Sequence, residues 1–384
     1  MDQHYENREQ AYVKHVFLRN YLQSLAHKLG WYGATINYVD GFSGPWLSGD
    51  EELVDTSPHI ALSQLERARE NLVMENRAPR FRCLFIEKDS KSYARLKELQ
   101  SRFPNIEVQT RHGEFEEFIR DIRSFVTTGG VKPFGFVFID PMGWTGYGLS
   151  ALSPLLELQR VEVLVNFMTS YIRRFIGVPQ KKSSITALFG GEVHEQWSKL
   201  KGVDRDDAIV DKYCQRLRAR GKFDFTGSSI VLDPHRDRSH YHLIFATRSI
   251  IGLQVYRAAE AKSLELQSIV RSQAQQRARI AKAGQTEMFD AATYPDTSYV
   301  EQLMDRYHRK ARGHLFHRIS KPAIIPYKTF AGELMSFPMV SEKHVKEWLR
   351  ELRRTARVRI ELPPGFQVPS LKPNRSDLII TTPS

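Results

Sequence analysis

Residues 36–44 read Ile36-Asn37-Tyr38-Val39-Asp40-Gly41-Phe42-Ser43-Gly44. Ile36, Tyr38 and Val39 describe a buried strand, Asp40 ends it, and a Gly-Phe-Ser-Gly turn follows at once. Glycines at such a turn let the backbone approach a ligand at the carboxyl edge of a parallel sheet, where open α/β folds bind cofactors.

Three later segments continue the pattern. Phe81-Arg82-Cys83-Leu84-Phe85-Ile86-Glu87 is a second apolar strand ending on a carboxylate, a position that accepts hydrogen bonds from ribose hydroxyls in nucleotide-type sheets. Ile106–Gln109 is a short third strand, and Glu114 follows in a turn where an adenine edge would sit. Phe134–Ile139 is a very apolar fourth strand, followed by Asp140-Pro141-Met142-Gly143 and a loop carrying Trp144 and Tyr147. Helix-forming stretches at Ser57–Asn76, Ser90–Arg102 and Phe115–Val126 separate the strands. Such alternation predicts a mostly parallel sheet with helices on both faces. A G-x-G-x-x-G fingerprint is absent after Asp40, as is any G-x-x-x-x-G-K-[ST] phosphate loop. Acidic strand ends in series therefore match the Rossmann-like sheet of class I S-adenosylmethionine-dependent methyltransferases better than a dehydrogenase. Taken singly, each of these residues is also explained as part of a turn or a solvated strand end.

Tyr38–Gly44 with Pro45 and Trp46, then Phe138–Gly143, resemble the three-Cys-motif partner protein family of bacteria and phages. Further matches are Val163-Leu164-Val165-Asn166-Phe167, Phe189-Gly190-Gly191 ahead of Trp197, Tyr241–Arg248 and Gly284–Phe289. The resemblance covers most of the chain. It implies a class I methyltransferase-like core, S-adenosylmethionine as cofactor, and a partner resembling radical-S-adenosylmethionine enzymes. Asp40, Gly41, Phe42, Gly44, Glu87, Glu114 and Asp140 are the expected cofactor residues. One departure is Trp46, which stands where many class I methyltransferases have a second glycine. Its ring would either floor the methionine pocket or block the cofactor.

With 384 residues, 41% of them hydrophobic, the chain has room for an α/β domain and a smaller module. Cys83 and Cys214 stand far apart with no CxxC pair, so neither a disulfide framework nor a metal site is expected. The N-terminus lacks the apolar core of a signal peptide, and no run reaches membrane-spanning length, so a cytoplasmic protein with no membrane partner is expected. The formal net charge of +12 favours polyanions.

Residues 1–259 are expected to form the methyltransferase-like domain, with 170–222 a helical insertion on the substrate side. Its first helix, about Glu9–Leu29, puts Val13, Phe17, Leu18, Tyr21, Leu22 and Leu25 on one stripe, and Lys14, His15 and Arg19 read as solvated surface. Residues 260–297 read as a polar helical connector and linker. Residues 298–384 read as a winged helix, with helices at Ser298–Ala311, at Thr329–Met335 and from Ser341, and strands at Val358–Leu362 and Leu378–Thr381. Lys343, Lys346, Arg350, Arg353 and Arg354 lie on the exposed face of its third helix, the one that enters a major groove in helix-turn-helix proteins. Arg173 and Arg174, among aromatics after the fifth strand, are further candidates for a phosphate backbone. Nucleic acid is thus the expected partner; protein contacts alone are the rival use of such a module.

Methyl transfer asks the protein chiefly to align the acceptor and exclude water. Amino-methyltransferases use a [DNS]-P-P-[YFW] segment at the fourth strand, whose polar group and proline carbonyl accept from the amine. Asp140 and Pro141 keep the first half of that motif, and Trp144 or Tyr147 stands in for the stacking ring; Asp140, Pro141 and Trp144 are the candidate catalytic residues. Met142 occupies the place where a cytosine-C5 enzyme needs its cysteine. Two readings remain open: a methyltransferase acting on nucleic acid, or a degenerate methyltransferase fold serving as a DNA-binding or scaffold subunit.

Overall fold

The computed structural model describes residues 5–44, 53–193, 197, 199–284, 291–366, 371–372 and 375–381. Pro45 and Trp46, and the run 285–290, lie outside the described residues. A sheet is built from β1 (Thr35–Asp40), β2 (Arg80–Glu87), β3 (Glu107–His112), β4 (Phe134–Ile139), β5 (Val161–Phe167), β6 (Phe225–Leu232) and β7 (Ser239–Thr247). Their order is β3-β2-β1-β4-β5-β7-β6; β1 to β5 run parallel, and β7 is antiparallel to both of its neighbours.

Continuous apolar runs form the central strands because both faces of the sheet are covered. Alternation sends Tyr38, Phe136 and Phe138 to one face, where α1 (Glu9–Trp31), α2 (Ser57–Met74) and α9 (Ile250–Ala283) pack. Val39, Val137 and Ile139 face the other side, towards α4 (Ile119–Thr127), α5 (Leu149–Leu156), α7 (Lys182–Phe189) and α8 (Gly202–Gly221). The α1 stripe is buried as expected, with Phe17 edge-on to Tyr256 at 5.2 Å. Thr56 caps α2 by accepting from the His59 amide at 3.4 Å, and Asp89 caps α3 (Ser90–Ser101) by accepting from Ser92 at 2.8 Å.

The stretch expected as an insertion contains α6 (Thr169–Phe175), α7 and α8, and α8 buries Ile209, Val210, Tyr213 and Leu217 against the sheet. The expected boundary at 259 falls inside α9, one continuous helix of 34 residues. Beyond residue 259 it is buried at Ser263, Leu264, Gln267, Val270, Arg271 and Ala274, so that stretch belongs to the core. Polar residues there answer backbone groups of the sheet, which is why the stretch reads as a solvated connector. Gln267 accepts from the Leu232 amide at 2.8 Å, and Arg271 donates to the Asp233 carbonyl at 3.0 Å.

The C-terminal part runs α10 (Ser298–Ile319), β8 (Ala323–Pro326), α11 (Tyr327–Met335), α12 (Glu342–Arg354), β9 (Val358–Glu361) and β10 (Leu378–Thr381). Its strands make an antiparallel sheet in the order β8-β10-β9. β8 is an addition to the expected elements: only four residues long, it holds its place by pairing with β10, 52 positions on in register from Pro326 to Leu378. Val345, Trp348, Leu349 and Leu352 are buried on α12, and Ser341 and His344 cap its start.

Candidate active site at the strand ends

Parallel strands deliver their last residues to one edge, so Glu87, Asp40, Asp140 and Asn166 arrive side by side from β2, β1, the residue after β4, and β5. Asp40 is wholly buried. One of its oxygens accepts from the Phe42 amide at 3.1 Å, the other from the Ser57 hydroxyl at 2.6 Å. Burial raises its carboxyl to about 7; the bonds from Ser57 and Phe42 and the charge of Lys14 oppose the rise, and Asp140 adds to it. Ser43 ties the turn down, donating to the Asp40 carbonyl at 2.8 Å and accepting from the Ile86 amide at 3.1 Å. Gly41 must be small, because a Cβ there would stand 2.6 Å from the Phe115 ring. Phe42 lies beside that ring, centroids 5.5 Å apart, and Gly44 faces the cleft described below.

Glu87 is buried at the end of β2. Its Oε1 accepts from the Asp89 amide at 2.6 Å, while Oε2 is buried with no hydrogen-bond partner among the described residues. Burial raises this carboxyl above its ordinary value. Glu114, by contrast, is exposed: it heads a short 3-10 turn at Phe115–Phe118 and lies 3.7 Å from Lys88.

Asp140 is held from two sides. Asn166 donates to Oδ1 at 2.6 Å, and the Lys14 ammonium closes on Oδ2. Both charged side chains are nearly covered, 12% exposed for Lys14 and 13% for Asp140. Lys14 and His15 therefore are not the solvated surface expected of them; Arg19 is. His15 bonds Tyr5 through Nδ1 at 3.0 Å, and burial pushes it well below the ordinary histidine range. Nothing in the helix periodicity marks Lys14, since its partner is 126 residues away.

Around Asp140 lies a cleft of about 230 Å³, lined by Lys14, Phe42, Gly44, Ser57, Pro141 and Tyr171 among others. Pro141 is buried and Met142 is 59% exposed. Trp144 stands beyond, donating to Ser184 at 3.1 Å and packed on Phe175 (4.8 Å) and Tyr171 (5.8 Å). Tyr147 is wholly buried in the opposite core, so it offers no stacking face to a ligand. A larger cavity of about 450 Å³ lies between β6 and α11, where Lys328 pairs with Asp224 at 3.3 Å, away from the strand ends.

The basic candidates separate. Arg173 is spent inside the fold: Nη1 grips buried Asp206 at 2.6 and 2.8 Å and also reaches Ser239, so it is not offered to a phosphate. Arg174 is exposed beside the Tyr171 and Phe175 rings. On α12, Lys343, Arg350, Arg353 and Arg354 are exposed, whereas Lys346 is half-buried and paired with Glu342 at 3.0 Å. Among the described residues, no cluster of three His, Cys, Asp or Glu side chains is arranged to hold a metal ion. Nor is any described helix long and apolar enough to cross a membrane.

No protein-family model matches the chain, and no curated protein matches it. Among solved structures it is similar to a DUF574 family protein from Streptomyces avermitilis, at 11% identity and TM-score 0.32, covering 61% of this chain and 83% of that one. It is also similar to PKMT2 from Rickettsia typhi, at 9% identity and TM-score 0.28, over 62% of this chain and 56% of that one. A loganic acid methyltransferase solved with SAH matches at 8% identity and TM-score 0.31, over 73% of this chain and 91% of that one. The core is a seven-stranded α/β sheet whose one reversed strand, β7, lies between β5 and β6.

Proposed function

We propose that this chain binds S-adenosylmethionine at the carboxyl edge of its sheet and serves as a methyltransferase-like protein on nucleic acid. The observation that carries the cofactor is Glu87: a buried carboxylate oxygen with no donor among the described residues is costly, and a ribose hydroxyl would supply one. Asp40 and the Gly41–Gly44 turn would hold the methionine end, with Phe42 beside it. Glu114 would meet the adenine edge. When bound, the cofactor supplies an already activated methyl group. The chain's own part is to aim an acceptor with Asp140 and the Pro141 carbonyl, to stack it near Trp144, and to keep water out.

For residues 298–384 we propose a winged helix that docks on nucleic acid through Lys343, Arg350, Arg353 and Arg354 of α12, with Lys346 and Arg174 at the margins. The helix–strand–helix–helix–strand–strand order supports that reading. Amino-group methylation of a base fits the Asp140-Pro141 segment, and a three-Cys-motif radical-S-adenosylmethionine-like protein is the proposed partner.

A second reading has its own observation. Each oxygen of Asp140 already accepts one bond, from Asn166 and from Lys14, so fewer of its acceptor sites remain for an amine. That favours a catalytically degenerate scaffold. Calorimetric titration with S-adenosylmethionine separates the cases. Binding by the wild type that Glu87→Ala and Asp40→Ala abolish supports the cofactor site; no heat from folded protein would sink the methyltransferase reading in favour of the scaffold.

A further inference from the structure

Neither the motif after β4 nor the turn after β1 calls for Lys14 in the strand-edge cluster. It reaches in from α1 to Asp140, and its charge is also felt by Asp40. A buried ion pair is a weak source of stability, because desolvating both charges offsets their attraction. The consequence of Lys14 is better sought in the charge of the cleft. Asp40 and Asp140 bring two carboxylates to adjacent strand ends. Arg8, also at the cleft, is matched by Asp55 at 2.5 Å, and burial lowers both His15 and His240 below the ordinary histidine value. Above about pH 7, where Asp40 is ionised, Lys14 thus halves an otherwise doubly negative cleft.

We propose that Lys14 sets the cleft's preference between the cationic sulfonium S-adenosylmethionine and the neutral thioether left after methyl transfer. This rests on the cofactor reading above. The two molecules differ in charge and one methyl group, so the local field is the protein's main means of telling them apart. With Lys14 in place, the remaining negative charge favours the sulfonium modestly over the neutral thioether; without Lys14 the preference is stronger. Lys14 is in this sense a specificity residue acting through Asp140 and Asp40.

The test is calorimetric affinity for S-adenosylmethionine and S-adenosylhomocysteine, measured near pH 8 where Asp40 is mostly ionised. Removing the cation in Lys14→Met should raise the preference for the sulfonium about tenfold, and Asp140→Asn should lower it by about the same factor. Lys14→Arg keeps the charge and should keep the wild-type ratio. Lys14→Met combined with Asp140→Asn removes the pair together and should return the ratio towards wild type, and these last variants decide the matter if Lys14→Met fails to fold. A ratio unmoved by Asp140→Asn and by Lys14→Met, with both ligands still bound, overturns the inference and leaves the cofactor site standing. A wild type that binds neither ligand overturns both.

Discussion

The Arg257 guanidinium and the Glu260 carboxylate meet at 2.6 Å inside the protein, their side chains 1% and 3% exposed. Arg257 also donates to the carbonyls of Ser228 on β6 and of Met335 and Ser336 at the end of α11, while Glu260 accepts from the Met339 amide. One pair therefore fastens the C-terminal elements to the sheet. Arg257→Ala would strand Glu260 in the interior and free three carbonyls. A loss of about 3–5 kcal/mol in urea unfolding is expected.

Asp40 gives the fold a pH dependence of definite sign. Burial raises its carboxyl from 3.8 to about 7, so between those values the folded state holds a proton that the unfolded chain releases. Its contribution to stability is present at low pH and is lost as pH rises through about 7. Asp40→Asn should remove roughly 2–3 kcal/mol of the decline in stability between about pH 5 and pH 8. Denaturant titrations of both proteins at the two pH values check this; parallel losses would contradict it.

Arginines that look alike in sequence should behave differently. Arg350→Ala, Arg353→Ala and Arg354→Ala change exposed side chains, so each should leave stability within about 0.5 kcal/mol of wild type. On the proposed nucleic-acid reading, each also weakens binding and lowers the salt slope by about 1. Arg173→Ala leaves buried Asp206 without its ion-pair partner and should cost stability by about 3 kcal/mol or more. Fluorescence anisotropy with a labelled duplex at several salt concentrations, alongside thermal melts, separates the two classes.

At Gly41 the constraint is space. A methyl group there would enter the Phe115 ring, and that ring is itself 2% exposed with little room to yield. Gly41→Ala should therefore destabilise by about 1–3 kcal/mol. Thermal unfolding reads the effect directly.

The core was legible because its strands are continuous apolar runs that end on carboxylates, a pattern carried by neighbouring residues. Asp40, Glu87 and Asp140 fall where that pattern puts them. Lys14 reads as solvated surface because an ammonium on the flank of an amphipathic helix has the same local signature whether it meets water or a carboxylate 126 residues on. Arg173 erred the other way: its basic neighbourhood suggested a ligand, and its partner Asp206 sits on a different helix, α8. β8 has no signature of its own, because four residues ending in proline carry almost no periodicity and only the pairing with β10 makes them a strand.

The buried polar residues of α9 have a consequence for how this protein behaves in company. β6 is the last strand of the large sheet, and its free side would ordinarily offer a template to any passing extended chain. Arg257 takes the Ser228 carbonyl at 3.0 Å, and Gln267 takes the Ile230 carbonyl at 3.4 Å and the Leu232 amide at 2.8 Å. Side chains thus fill places along this edge where a neighbour's backbone would zip on, so a basic, helix-rich protein closes the β6 end of its large sheet to an adding strand.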